Sequence, residues 1–354
     1  MYETEVKKIP QKLIDNNDIK AIKETAIIKK AAELILEDEV VAFPTETVYG
    51  LGANALKNEA VSKIFSAKGR PSDNPLIAHI ADKNQLSDLI DGELSAVAQQ
   101  LSEHFWPGPL TIIFNKSKKV PQLTTAGLDT VAVRMPNHPV ALALIKKADL
   151  PLAAPSANSS GFPSPTKAEH VYNDLNGKIP LIVDGGICNI GVESTVVEIK
   201  DNNVNILRPG GIPKERIEEV LGADFKVETA NQAEVKKPKS PGMKYKHYAP
   251  RTPLWIVKSE NIKKVLKEND FNHAKTLVVL TNESLQNLDK TKIKADLKEL
   301  GSIQDLDHIA KHLYNMLREA DKKDFDLILI EEVPAKEIGE AVMNRLKKAA
   351  VKII

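Results

Sequence analysis

Residues 67–80 read AKGRPSDNPLIAHI, a helical pattern that passes through turn formers into a strand pattern, the step from which an α/β chain is built. Lys68 and Arg70 flank Gly69, while Pro71 and Pro75 stiffen the path around Ser72, Asp73 and Asn74. Arginine offers a fixed fork of donors and lysine a compact point charge, a pairing that suits a triphosphate. The loop therefore reads as an anion site, against the plainer alternative of a solvated turn with two incidental charges.

Upstream, apolar residues recur at helical spacing from Ile19 to Leu36, and Glu39 to Phe43 reads as a buried strand ending at Pro44. The segment TETVYGLGANA, from Thr45, reads as a polar turn feeding the helix that carries Val61, Ile64 and Phe65. Gly50, Gly52 and Ala55 formally satisfy a dinucleotide fingerprint, but six residues, Pro44 to Tyr49, separate it from its strand, so that reading is rejected.

Downstream, Leu76 to Ile80 is an expected strand and Leu86 to Leu101 an expected helix, and WPGP from Trp106 is a rigid turn into another strand. Trp106 reads as a core cap before a base-stacking platform. Thr130 to Met135 alternates, with Thr130, Ala132 and Arg134 on one face. An arginine on that small-residue face requires an anion, either an internal ion pair or a ligand carboxylate. From Leu152 the chain reads LAAPSANSSGFPSP, a surface turn or a loop able to bond phosphate and sugar oxygens without adding charge. Thr166 with Glu169 forms a capping-box pattern. Three further strand-and-turn segments bring Asp184, Ser194 and Arg208 beside glycines, and the strand and helix alternation to about Val220 predicts one α/β domain.

Periodicity fails from about Ala223 to Arg251, and within it residues 236–250, KKPKSPGMKYKHYAP, interleave five lysines with prolines and tyrosines. This stretch is an expected linker, either a solvated tether or a basic strap over a triphosphate or RNA. Beyond it, Leu254–Val257, Thr276–Leu280 and Leu327–Ile330 alternate with helical segments at Ile303–Ala320 and Ile338–Ala349, predicting a smaller α/β domain. His308 and His312 have the spacing of a metal pair but lack the intervening glutamate of a zinc protease, and no metal ligand is assigned.

The chain has 354 residues, long enough for two cores, and 42% of them are hydrophobic. Lys and Arg total 49 against 48 Asp and Glu, so a net charge of +1 excludes a global field drawing the chain to nucleic acid. One cysteine excludes an intrachain disulfide, and the lack of an N-terminal apolar run or a long apolar span predicts a cytoplasmic address without a membrane.

PTETVYGLG from 44, KGRP from 68 with His79, WPGP from 106, VRMP from 133, PSAN from 155 and SPGMKYKHYAP from 240 resemble, in order, the motifs of the YrdC/Sua5 family in its two-domain form. The resemblance implies a YrdC-like twisted α/β domain with a concave basic cavity over 1–222, a linker acting as a lid over 223–251, and a Rossmann-like α/β/α domain over 252–354. It implies that L-threonine, bicarbonate and ATP become threonylcarbamoyl-AMP, pyrophosphate and water, for modification of tRNA. Thr47, His79, Arg134, Ala154 and Ser194 would hold threonine, Arg134 taking the carboxylate. Lys68, Arg70, Asn74, Thr130, Ser156, Asn158, Ser164 and Arg208 would surround ATP, with Lys68, Arg70, Ser156 and Asn158 as the catalytic set. His247 or Tyr248 would close over the nucleotide, Mg²⁺ would ride on its phosphates, and a downstream transferase would receive the product. Such chemistry needs positioning and charge neutralisation rather than a protein nucleophile. The rivals are an RNA-binding module, with a contact to double-stranded RNA or tRNA, and a hydrogenase-maturation carbamoyl-transfer domain. The second rival needs a zinc finger, which one cysteine cannot build.

Overall fold

Buried apolar runs form the inner strands of the first of two units into which the chain divides, comprising Met1–Ser160 and Ser164–Tyr245; the second comprises Gly161–Pro163 and Lys246–Ile354. The structure, a computed structural model, describes residues 2–200, 203–230, 247–268, 275–289 and 293–354. The strands of the first unit are β1 (Glu5–Lys8), β2 (Val41–Phe43), β3 (Gly50–Asn54), β4 (Ile77–His79), β5 (Leu110–Asn115), β6 (Thr130–Arg134), β7 (Leu152–Ala153), β8 (Leu181–Asp184), β9 (Thr195–Lys200), β10 (Asn203–Arg208) and β11 (Lys226–Thr229). They form one mixed sheet in the order β1-β8-β2-β3-β7-β4-β6-β5-β9-β10-β11. β2, β3 and β4 are buried at every position, as expected for inner strands covered on both faces.

Several elements differ from expectation for local reasons. The helix expected over 19–36 is two, Ile19–Glu24 and Ala26–Leu36, because Thr25 adopts an extended backbone and its hydroxyl accepts the Ile28 N–H. The helix expected over 86–101 likewise divides into Leu86–Leu89 and Ala96–Phe105, the second capped by Ser95. Apolar periodicity runs through such breaks because the flanking turns keep the same buried face.

The turn expected at 45–55 contains β3, which pairs antiparallel with β2. Gly52 makes that pairing possible, since a Cβ there would lie 2.6 Å from Cε1 of the fully buried Phe43. The Thr166–Glu169 capping box does not form. The helix begins later, at Ala168, and Thr166 Oγ1 is buried without a hydrogen-bond partner while its N–H donates to His170 Nδ1. Within the expected linker, β11 pairs parallel with β10, whereas the linker lysines at 236, 237, 239, 244 and 246 lie outside the described residues. Trp106 is a core cap, 6% exposed, its indole N–H donating to the Leu110 carbonyl.

The second unit holds β12 (Leu254–Val257), β13 (Thr276–Thr281), β14 (Asp296–Gly301), β15 (Leu327–Glu331) and β16 (Lys352–Ile353), in the order β14-β13-β15-β12-β16. Every pairing is parallel, and helices Leu306–Lys322 and Ile338–Ala349 follow β14 and β15, giving Rossmann-like layering. β14 and β16 escaped the sequence reading because neither is an apolar run. Among the described residues no helix is long and apolar enough to cross a membrane, and no three metal-ligating side chains cluster.

Candidate active site

Gly69, at φ 60°, ends the helix Asn58–Lys68 in a left-handed turn and leaves Lys68 in its last turn. The Lys68 side chain is buried, and its ammonium donates to the carbonyls of Ser156 and Asn158 and, at 3.3 Å, to Asn158 Oδ1. The Ser156 hydroxyl donates to Asn158 Oδ1 at 2.5 Å. Arg70 turns onto its own loop, Nη2 donating to the carbonyls of Asn74 at 3.3 Å and Pro75 at 3.2 Å. Asn74 is 1% exposed, with its Nδ2 donor unpartnered. Lys68, Ser156 and Asn158 therefore meet as one donor-rich group, with Arg70 and Asn74 as its neighbours along the chain.

A second group lies on β4 and β6, where register places His79 beside Arg134. Arg134 Nη1 donates to Thr47 Oγ1 at 2.9 Å and Nε to the Gly108 carbonyl at 3.3 Å. Nη2 lies 2.7 Å from Glu46 Oε1, at ion-pair distance but off the line a hydrogen bond requires. Of the two readings open for this arginine, the structure shows the internal ion pair. His79 Nδ1 lies 3.1 Å from the Ile77 carbonyl, which can only accept, so Nδ1 carries the proton. Burial, then the Arg134 charge, pushes the His79 pKa down to about 3, so the imidazole is neutral beside two guanidinium groups. Ala154 donates its N–H to the Ile77 carbonyl, and Thr130 shares the Arg134 face of β6.

The third group joins β9 and β10. Arg208 Nη2 donates to the Ser194 carbonyl at 2.9 Å and hydroxyl at 3.0 Å, and Ser194 Oγ also pairs with Thr111 Oγ1 at 2.7 Å. Ser164 donates to Glu193 Oε1 at 2.5 Å. Backbone bonds from Tyr49 to Pro165, Leu51 to Pro155 and Ala157 to Tyr49 lace the 44–51 segment to the serine-rich loop. The structure thus places in these three groups the candidates of the first unit. His247 and Tyr248 belong to the second, where Tyr248 is buried, stacked on Tyr314 at 5.7 Å with Arg345 5.3 Å from its ring.

The sequence reading missed Glu46, Glu193 and Thr111. Glu46 stands between two threonines of a motif already singled out, and a buried arginine on β6 needs a countercharge. That need was the available signal.

A family model described as "Telomere recombination" matches residues 33–210, and one described as "Threonylcarbamoyl-AMP synthase, C-terminal domain" matches 212–351. The chain is 51% identical to a Bacillus subtilis threonylcarbamoyl-AMP synthase, covering 91% of this chain and 92% of the relative, and 46% identical to that of Pyrococcus abyssi, covering 91% and 94%. Among solved structures, P. abyssi Sua5 complexed with L-threonine matches at a TM-score of 0.84 and 42% identity over the whole of both chains. A P. abyssi variant with an adjacent histidine and tyrosine replaced by alanine matches at 0.86 and 42%, covering 99% of this chain and 98% of that one.

Proposed function

The chain belongs to the threonylcarbamoyl-AMP synthase family, and from that membership we propose that it converts L-threonine, bicarbonate and ATP to threonylcarbamoyl-AMP, pyrophosphate and water. The observation that supports this most directly is the set of buried cations, Lys68, Arg134 and Arg208, each 3–4% exposed, in one unit. Anionic charge stabilises a buried cation, and a triphosphate with an amino acid carboxylate brings such charge.

In this reading Arg134 and Thr47 take the threonine carboxylate, with His79, Ala154 and Ser194 around the rest of the substrate. Lys68, Arg70, Asn74, Thr130, Ser156, Asn158, Ser164 and Arg208 surround ATP in a basic cavity. His79, neutral and fixed in one tautomer, adds a hydrogen-bonding group without adding charge. The amine attacks bicarbonate or dissolved carbon dioxide, and a carbamate oxygen then attacks the α-phosphate, displacing pyrophosphate. Lys68 and Arg70 stabilise the charge that develops on the phosphates. Mg²⁺ fits as an ion carried by the phosphates, because the buried carboxylates Glu46 and Glu193 face Arg134 and Ser164. It would neutralise phosphate charge there.

The domain assignment proposed is 1–222 catalytic, 223–251 linker and lid, and 252–354 Rossmann-like. Residues 247–248 are the single His–Tyr step in the sequence, and the P. abyssi variant altered at such a pair favours them as the lid. The product is a mixed anhydride, so a downstream enzyme must transfer its acyl group, to tRNA in this reading, at a cytoplasmic address.

The experiment is pyrophosphate release from ATP in bicarbonate buffer with Mg²⁺, with and without L-threonine. Release that requires both threonine and bicarbonate is expected. A protein that binds ATP but releases none above background would instead favour the RNA-binding reading.

A further inference from the structure

Glu46 is 6% exposed, and neither of its carboxylate oxygens accepts a hydrogen bond. Arg134 Nη2, 2.7 Å away, donates none. A buried charged group that leaves its bonding capacity unmet is expensive, so a state that meets it is favoured. Among the described residues, the buried side-chain carboxylates of the first unit are Glu46 and Glu193, against buried Lys68, Arg134 and Arg208. Glu193 already accepts the Ser164 hydroxyl.

A zwitterion entering this unit brings a carboxylate and an ammonium a few ångströms apart. Its carboxylate suits Arg134, but its ammonium would then face a region already rich in cations. The acceptor that remains is Glu46, adjacent to the same guanidinium nitrogen. We propose that Glu46 recognises the substrate ammonium, so that when the substrate carboxylate engages Arg134 Nη2 the ammonium donates to Glu46. This deepens the threonine reading of Arg134 and rests on it. The buried ion pair opens into an alternating ring of four charges, arginine, substrate carboxylate, substrate ammonium and glutamate, and no net charge is added to the interior. Glu46 thereby selects an α-amino acid over a hydroxy acid of the same skeleton. The two unbonded ends of the Arg134–Glu46 pair are the two ends that one zwitterion fills.

The test is calorimetric binding of L-threonine and of 3-hydroxybutyrate, which keeps the carboxylate and hydroxyl but lacks the amine, to the full chain and to Glu46→Gln and Glu46→Asp. The wild type is expected to prefer threonine. That preference should fall by about tenfold or more in Glu46→Gln, the scale of one hydrogen bond to a charged group, and part-way in Glu46→Asp, with ATP affinity retained. If Glu46 only braces Arg134, both ligands weaken together and the ratio stays, which overturns the proposal. If Glu46 only competes for Arg134, both ligands tighten in Glu46→Gln, which overturns it as well. Should Glu46→Gln fail to fold, an unchanged ratio in Glu46→Asp, which keeps the charge on a shorter stem, does the same. Failure of threonine to bind the wild type would instead refute the threonine reading, a separable result.

Discussion

Arg134 is held by Gly108, Thr47 and Glu46 and is 3% exposed. Removing its guanidinium strands Glu46 as a buried carboxylate without its countercharge, at a cost of about 3–5 kcal/mol. Arg134→Ala is therefore expected to lower the denaturation midpoint and abolish threonine binding by calorimetry while sparing ATP. Unchanged threonine affinity would refute the clamp. At this scale the sequence was informative about charge and silent about pairing. Arg134 announced its need for an anion by standing on a small-residue face, but its partner lies on a distant loop that only the β2–β3 hairpin brings to it. Lys68 and the Ser156–Asn158 pair were each visible as polar loops. That the ammonium donates to the loop's own carbonyls was not, because carbonyl direction is a backbone property that side-chain identity does not encode.

The helix Pro139–Ala148 begins at His138, whose Nδ1 accepts the Val140 N–H. A ring nitrogen that accepts carries no proton, and burial pushes the His138 pKa down to about 4. The unfolded chain binds that proton near pH 6.5, so the folded state binds fewer protons between about 6.5 and 4, and stability is lost as pH falls through that window. His138→Asn keeps a good cap without the titration. The variant is expected to lose less stability between pH 7 and pH 4.5, by up to about 1.4 kcal/mol per pH unit for one proton, in urea denaturation at the two pH values. Parallel acid profiles for both proteins would show that His138 does not carry the effect. Elements as a class were well marked by periodicity, and Leu254–Val257 and Ile338–Ala349 appear as expected. Breaks at Thr25 and Ser95 were harder to see, since a cap changes the backbone without interrupting the apolar stripe. β3 was hidden by its glycines, which weaken a strand signal; at Gly52 the Phe43 ring leaves no room for a side chain.

The division into two α/β units was legible from the alternation of strand and helix patterns and its failure after Val220, whereas the eleven-strand order was not. That order depends on β7 to β11 returning to both sides of earlier strands, and such long-range pairing leaves no local mark. The balanced charge of the whole chain also hid the imbalance of its interior, where buried cations of the first unit outnumber buried carboxylates. The two ends of that sheet have a further consequence, for behaviour at high concentration. An open sheet offers a row of unmet backbone groups along each outermost strand, on which another copy can add. Among the described residues those strands are β1, with Lys7 and Lys8 exposed, and β11, with Lys226 and Glu228 exposed. The flanking ion pairs Lys7–Glu5 and Lys226–Glu228 are solvated and add little to stability. Their charges act instead as a barrier to edge-to-edge stacking. Lys7→Val with Lys226→Val is expected to leave the melting temperature nearly unchanged and to produce concentration-dependent light scattering above that of the parent; scattering like that of the parent would show that the strand ends are protected by something other than charge.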